Sequence, residues 1–233
     1  MPYQNPQGVN DEHPDVIPGI CSGLTVQKKN QNRVSLFIDG EFVSGFHQQI
    51  VLDFKLSVGA TITQQLFSEM RQSEQRYMIK ERCFDWLGRR AHSRGELKQK
   101  ALIKKFPVAI IDEVLDEMAD MGYLDDQAFA FLFVRDKANI YGWGPQKISS
   151  ALYQKGLEKC YIDTALKKAV TNNEILSNLY KEAKKGKKKF SRVDDLLKRK
   201  KKLVDFLCRK GYSLDVILSE AESLLKIIED EKL

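Results

Sequence analysis

No stretch of this 233-residue sequence comes near the roughly eighteen apolar residues that a membrane span needs. Its longest unbroken apolar run, Ala128 to Val134, is seven. The N-terminus, Met1 to Pro6, is polar and lacks the charged-then-apolar layout of a signal peptide. Cysteine is scarce: Cys21, Cys83, Cys160 and Cys208 are scattered and no C-x-x-C pair occurs, so free thiols in a reducing, cytoplasmic setting are the reading. The three histidines, His13, His47 and His92, are dispersed, and none has a cysteine or carboxylate at metal spacing. Ser93 beside His92 is no triad, because neighbours in a capping segment do not present the required geometry. Gly142-Trp143-Gly144 lacks the rest of a phosphate-loop pattern and reads as a turn between helices. Asp125 and Asp126 have no third ligand nearby and read as helix-start residues. No catalytic constellation, metal site or cofactor motif emerges.

What is present describes a protein with a packed core and a wet surface, 42% apolar and 30% charged, of one large or two to three small domains. The net charge of +6 is local. Between Lys181 and Lys202 there are twelve Lys or Arg against three Asp or Glu, a net of +9. The remainder of the chain sums to −3. A polyanion or an acidic protein surface is the expected neighbour of that tract.

An internal repeat of about fifty residues is the strongest organising signal. Leu102 to Phe106, Leu152 to Gly156 and Leu207 to Gly211 each close an amphipathic stretch. A second apolar stretch follows each: Ile111/Leu115, Ile162/Leu166 and Ile217/Ala221. The second and third copies align without a gap, fifty-five residues apart, whereas the first sits one residue out of step and has Phe106 where the others have glycine. Repeats of this period mark stacked arrays that offer a long surface to a large partner.

Residues 1–20 carry four of the six prolines and few apolar residues, and read as a disordered lead. Arg33 to Ile38 and Glu41 to Phe46 alternate with period two around Asp39-Gly40, the strongest short hairpin signal, since both turn positions need positive φ. Leu24 to Lys28 and Ile50 to Leu56 are expected to add strands on either side. After Gly59 the pattern is helical, beginning with a long helix from Ile62 to Arg90. Ser93 to Glu96 is a capping box. Pro107 suits a first helical position, Gly122 a left-handed helix end, and Asp125 an N-cap; Gly144-Pro145 opens a helix that Gly156 closes, and Tyr161 to Val170 forms the next. Ser191 and Ser213 are expected caps for the two that follow. The expected fold is mainly α, a tandem array of three three-helix repeats, curved and elongated, with a small N-terminal β-hairpin sheet. The expected divisions are 1–20, a β segment at 21–58, a linking helix and first repeat at 59–122, a second repeat at 123–172, and a lysine-rich third at 173–233.

The segments Arg90 to Leu97, Gly122 to Ala130, Val134-Arg135, Gly142 to Ile148 and Leu152 to Gly156 together resemble the RecX family of bacterial regulators. The match is best over residues 77–172, and the hairpin at 24–46 is similar to the N-terminal β segment of longer members. The resemblance implies a non-enzymatic, monomeric protein without cofactors that binds the RecA recombinase filament on single-stranded DNA, lodges in its groove, and restrains its ATPase and strand exchange. The family's basic face, carried over by position, implies Arg90, Arg94, Lys98, Arg135 and Lys147 as partner contacts. Phe106 and the unusually basic tract depart from the family's pattern.

Taken alone, Arg135 reads as a surface residue paired with Asp136 or a neighbouring carboxylate. Arg90, Arg94 and Lys98 stand out more, because Arg94 and Lys98 share a helix face and no acidic residue lies at matching offsets except Glu96, which capping occupies. In the tract, Lys187, Lys188, Lys189, Lys198, Arg199, Lys200, Lys201 and Lys202 are candidate phosphate contacts, against the plainer reading of a solvated face. The competing function is an independent DNA-binding protein built of helix-turn-helix-like units. It is disfavoured because no helix start carries a cluster of Asn, Gln and Arg.

Overall fold

At Asp39-Gly40 the backbone turns with φ of 50° and 91°, the two positive values that a two-residue hairpin requires. The turn joins β2 (Asn30–Ile38) to β3 (Glu41–His47), with Ile38 opposite Glu41 and Val34 opposite Phe46. The structure, a computed structural model, describes residues 17–190, 192 and 195–229. β1 (Gly19–Gln27) and β4 (Thr61–Ile62) complete an antiparallel sheet of order β3-β2-β1-β4. Val34, Leu36 and Ile38 point to one side at period two and are buried. The expected lead at 1–20 lies largely outside the described residues, but Gly19 and Ile20 already belong to β1.

One expected strand is a helix. Ile50 to Leu56 falls on α1 (Gln48–Asp53), which starts where the His47 ring nitrogen Nδ1 accepts the Gln49 N–H at 3.1 Å. Ile50 is buried in the sheet's core and Val51, Phe54 and Leu56 pack against it, while Leu52 is exposed, a pattern that is not period two.

The helices that follow are α2 (Gln64–Leu87), α3 (Arg94–Ile103) and α4 (Val108–Asp120), then α5 (Asp126–Asn139), α6 (Pro145–Gln154) and α7 (Lys159–Ala169), then α8 (Asn172–Phe190), α9 (Leu196–Lys210), α10 (Leu214–Ser219) and α11 (Ala221–Glu229). This is the expected sequence of three-helix sets, with α11 added because the last stretch breaks at Glu220. Asp125 caps α5 by accepting the Ala128 N–H at 2.8 Å. The cap of α9 is Asp195, which accepts from Leu197 and Lys198; the expected cap Ser191 lies outside the described residues. Ser213 stands at the start of α10 but makes no side-chain capping bond.

The step in the repeat has a local explanation. The amides of Phe106, Leu157 and Tyr212 return to the carbonyls of Ala101, Leu152 and Leu207 at 3.3, 3.2 and 3.2 Å. The left-handed residue before each is Lys105, Gly156 and Gly211, with φ of 63°, 78° and 93°. Phe106 therefore corresponds to Leu157 and Tyr212, and does not replace a glycine. In the first copy a lysine takes the left-handed position, at a cost of roughly 1 kcal/mol.

By its internal contacts the chain divides into two compact units. One comprises the residues up to Asp85 with Ala101–Val114; the other comprises Trp86–Lys100 and everything from Leu115 on. Within the first, Cys21, Leu36, Phe46, Ile62 and Met70 form a core between sheet and α2. Glu74 ties the two together, pairing with Arg33 at 2.7 Å and accepting the His47 N–H at 2.7 Å. Within the second, one core is centred on Val134, Ile148, Leu152 and Ile162, and another on Leu179, Leu203, Leu207 and Ile217.

Candidate functional site

The second unit contains a junction of helix start on helix end twice, closed in the first copy by a side-chain hydroxyl and in the second by backbone amides. At the start of α3, Ser93 and Glu96 cap each other: the Glu96 N–H donates to Ser93 Oγ at 3.1 Å and the Ser93 N–H to Glu96 Oε2 at 3.3 Å. Ser93 Oγ also donates to the Lys155 carbonyl at 2.6 Å, just past the end of α6. A Cβ on Gly95 would lie 2.5 Å from that carbonyl, so only glycine permits the approach. Fifty-one residues later, at the start of α6, the Gly144 N–H donates to the Lys210 carbonyl at 2.7 Å and Gln146 to Gly211 at 3.0 Å. A Cβ on Gly144 would overlap the backbone of Gly211 and Tyr212. Each junction carries an ion pair, Lys155–Glu96 at 2.6 Å and Lys210–Glu182 at 2.7 Å. The start of one repeat's second helix thus seats on the end of the next repeat's second helix.

These junctions absorb two of the expected partner contacts. Arg90 lies in a bend past the end of α2 and donates to both oxygens of Glu96, at 3.1 and 3.0 Å. Burial alone would raise the Glu96 carboxyl, but hydrogen bonds from Arg90 and Lys155 outweigh it and bring the pKa down to about 2. The Arg94 guanidinium pairs with Asp116 at 2.9 Å, and the Arg94 backbone N–H donates to Asp126 at 2.8 Å. The expectation that Arg90 and Arg94 stand without acidic partners therefore fails. Glu96 both caps and pairs, and Asp116 is close in space though distant in sequence. Lys98 is half-buried on α3. His92, buried, faces the Arg90 carbonyl at 3.0 Å and Lys100 Nζ at 2.7 Å, and its burial beside these cations depresses its pKa.

The second repeat holds a different arrangement. Arg135 is exposed on α5 and makes no ion pair among the described residues, so the expected pairing with Asp136 is not formed. Lys147, half-buried at the start of α6, places Nζ 4.4 Å from the centre of the Trp143 ring. Sequence reasoning missed Lys137, whose ammonium lies 4.0 Å from Tyr141, 5.2 Å from Trp143 and 5.4 Å from Phe133. The signal was present in the spacing, since Phe133, Lys137 and Tyr141 recur every four residues.

In the third repeat the lysines do not form one uniform face. Lys187, Lys188 and Lys189 occupy the last turn of α8, where cations suit the helix dipole, and Gly186 is buried within that helix. Arg199 and Lys200 are half-buried, whereas Lys198, Lys201 and Lys202 are exposed. Two acidic residues of the tract are engaged in and beside it: Glu182 binds Lys185 and Lys210, and Asp195 caps α9 and lies 3.8 Å from Lys198. Burial opposes ionisation of Glu182, yet the two lysines hold its pKa below the ordinary value.

Four family models match in chain order. They are the RecX N-terminal domain at residues 20–63 and the first, second and third RecX three-helix domains at 80–118, 125–166 and 173–219. The chain belongs to the RecX family. Relatives named "Regulatory protein RecX" include one from Listeria welshimeri, 27% identical over 195 residues and covering 84% of this chain and 72% of that protein. Another, from Clostridioides difficile, is 26% identical and covers 91% of this chain and 98% of that protein. A crystal structure of regulatory protein RecX superposes with a TM-score of 0.67 at 22% identity, over 91% of this chain and all of that one. RecX from Lactobacillus salivarius gives 0.58 at 20% identity, over 67% of this chain and 98% of that one. The fold is therefore that of RecX, and the role of the chain is regulatory. Among the described residues no helix is long and apolar enough to cross a membrane.

Proposed function

We propose that this RecX protein binds the RecA recombinase filament on single-stranded DNA and restrains its ATPase and strand-exchange activities, acting as a monomer and without chemistry of its own. The repeated junction carries this reading. By seating each repeat's second helix on the next in the same way, it presents equivalent helices in series, which suits a partner that is itself repetitive. Lys98, Arg135 and Lys147 supply the partner contacts, with Arg90 and Arg94 contributing from within their ion pairs. The tract supplies phosphate contacts through Lys198, Lys201 and Lys202, where counterion release favours binding.

Hydrolysis of ATP by the cognate recombinase on single-stranded DNA tests the reading. Substoichiometric amounts of the chain are expected to lower the rate. An unchanged rate at every ratio, together with tight binding to one duplex sequence, would establish the competing reading of an independent DNA-binding protein.

A further inference from the structure

Lysines alone satisfy phosphates, and among the described residues of the third repeat Lys210 stands near a ring, 5.8 Å from the centre of Phe206. The second repeat interleaves its cations with rings, and that difference calls for its own account. From Phe133 to Lys147 the chain holds Arg135, Lys137 and Lys147 against one carboxylate, Asp136. Lys137 stands among three rings and Lys147 over Trp143. Tyr141 and Trp143 have ring centres 6.5 Å apart, inclined at 60°. Tyr141 is 52% exposed and its neighbour Ile140 68%. Among the described residues the buried carboxylate near this turn is Glu182, against Gly142, and it is already neutralised by Lys185 and Lys210. The patch is therefore net positive, with the Tyr141 ring exposed and the Trp143 ring half-buried beside it.

A duplex keeps its base faces stacked inside, so exposed rings gain little from it. An unpaired strand offers every base face, and groups that alternate ring and cation fit its alternation of base and phosphate. We infer that the α5–α6 turn of the second repeat is a stacking platform for unpaired bases, with Tyr141 and Trp143 receiving bases and Lys137 and Lys147 the flanking phosphates. This deepens the filament reading and rests on it for its biological setting, but its chemistry needs no recombinase.

The test uses the full chain and two labelled oligomers of equal length and charge, an oligothymidylate and its abasic counterpart, followed by fluorescence anisotropy without recombinase. The wild type is expected to bind the oligothymidylate more tightly by about fivefold or more. Tyr141→Ala is expected to remove most of that preference while leaving abasic binding and its salt dependence unchanged. Trp143 also lines the core, so Trp143→Phe, which keeps a smaller ring, is the companion variant and should reduce the preference only in part. Ile140→Ala, more exposed than Tyr141 and adjacent in sequence, should change nothing. Equal affinity for the two oligomers, or an equal loss on both in Tyr141→Ala, overturns the proposal. If the oligomers bind equally yet Tyr141→Ala relieves restraint of the recombinase, the rings face protein and the proposal also fails. If the platform binds bases while ATP hydrolysis is unaffected by the wild type, the filament reading falls and the platform stands.

Discussion

The second and third repeats share a three-helix order and an excess of cations, yet they expose different chemistry. The third places Lys198, Lys201 and Lys202 on the open side of α9 beside Leu196 and Leu197, the latter 79% exposed. Its rings turn inward: Phe190 is fully buried and meets Phe206 at 5.5 Å, and no aromatic side chain of the described third repeat is exposed. The second repeat has fewer cations but sets them against Tyr141 and Trp143. Net charge alone would suit a polyanion in both cases. Only the side chains between the charges distinguish a surface that holds a backbone from one that can also hold bases.

The comparison depends on the junction between the two repeats, and breaking it should have the largest effect. Gly144→Val drives a branched side chain into the Gly211 backbone and is expected to destabilise the chain by roughly 3 kcal/mol, read as a lowered midpoint in denaturant. Next comes the clasp. Glu182 is 2% exposed and holds Lys210, and Glu182→Ala should cost about 2 kcal/mol because charge-assisted bonds are lost on one side only.

A weaker but more specific effect is the response to acid. The folded Glu96 carboxyl sits at about 2 against an ordinary value of 4.5. Its contribution to stability is therefore complete above about 4.5 and is lost as pH falls from there towards 2. Glu96→Gln should flatten this part of a stability-against-pH curve, whereas Asp116→Asn, which touches Arg94 instead, should leave the Glu96 step in place. The smallest effect sharpens the comparison itself. Replacing Lys198, Lys201 and Lys202 with Gln should lower the salt slope of single-strand binding by about 2, equally for normal and abasic oligomers. An unchanged slope would return these lysines to a solvated face.

Much of the architecture was legible in the sequence because it rests on local rules. Ser93–Glu96, Asp125, Gly156 and Asp39-Gly40 each act within a few residues, and each occupies the place its pattern indicates. What escaped depends on tertiary context. α1 is only six residues long and turns Ile50 and Val51 inward, too short a stretch to carry a helical period. Lys105 occupies a left-handed position that sequence assigns to glycine, which displaced the alignment of the first copy by one. In the candidate site, the sequence named Arg135 and Lys147 as candidates but could not show that Asp116 reaches Arg94 or that Lys155 reaches Glu96, since those partners lie twenty-two and fifty-nine residues away. Lys137 was legible and overlooked, because a lone lysine on a helix has an ordinary surface reading until the rings at either side are counted with it.

The most direct measurement is co-sedimentation of the chain with recombinase filaments preassembled on single-stranded DNA. The account predicts that the chain pellets with the filament, saturates with recombinase content, and pellets less as salt rises. A chain that stays in the supernatant with filaments at low salt, while still folded, would contradict it.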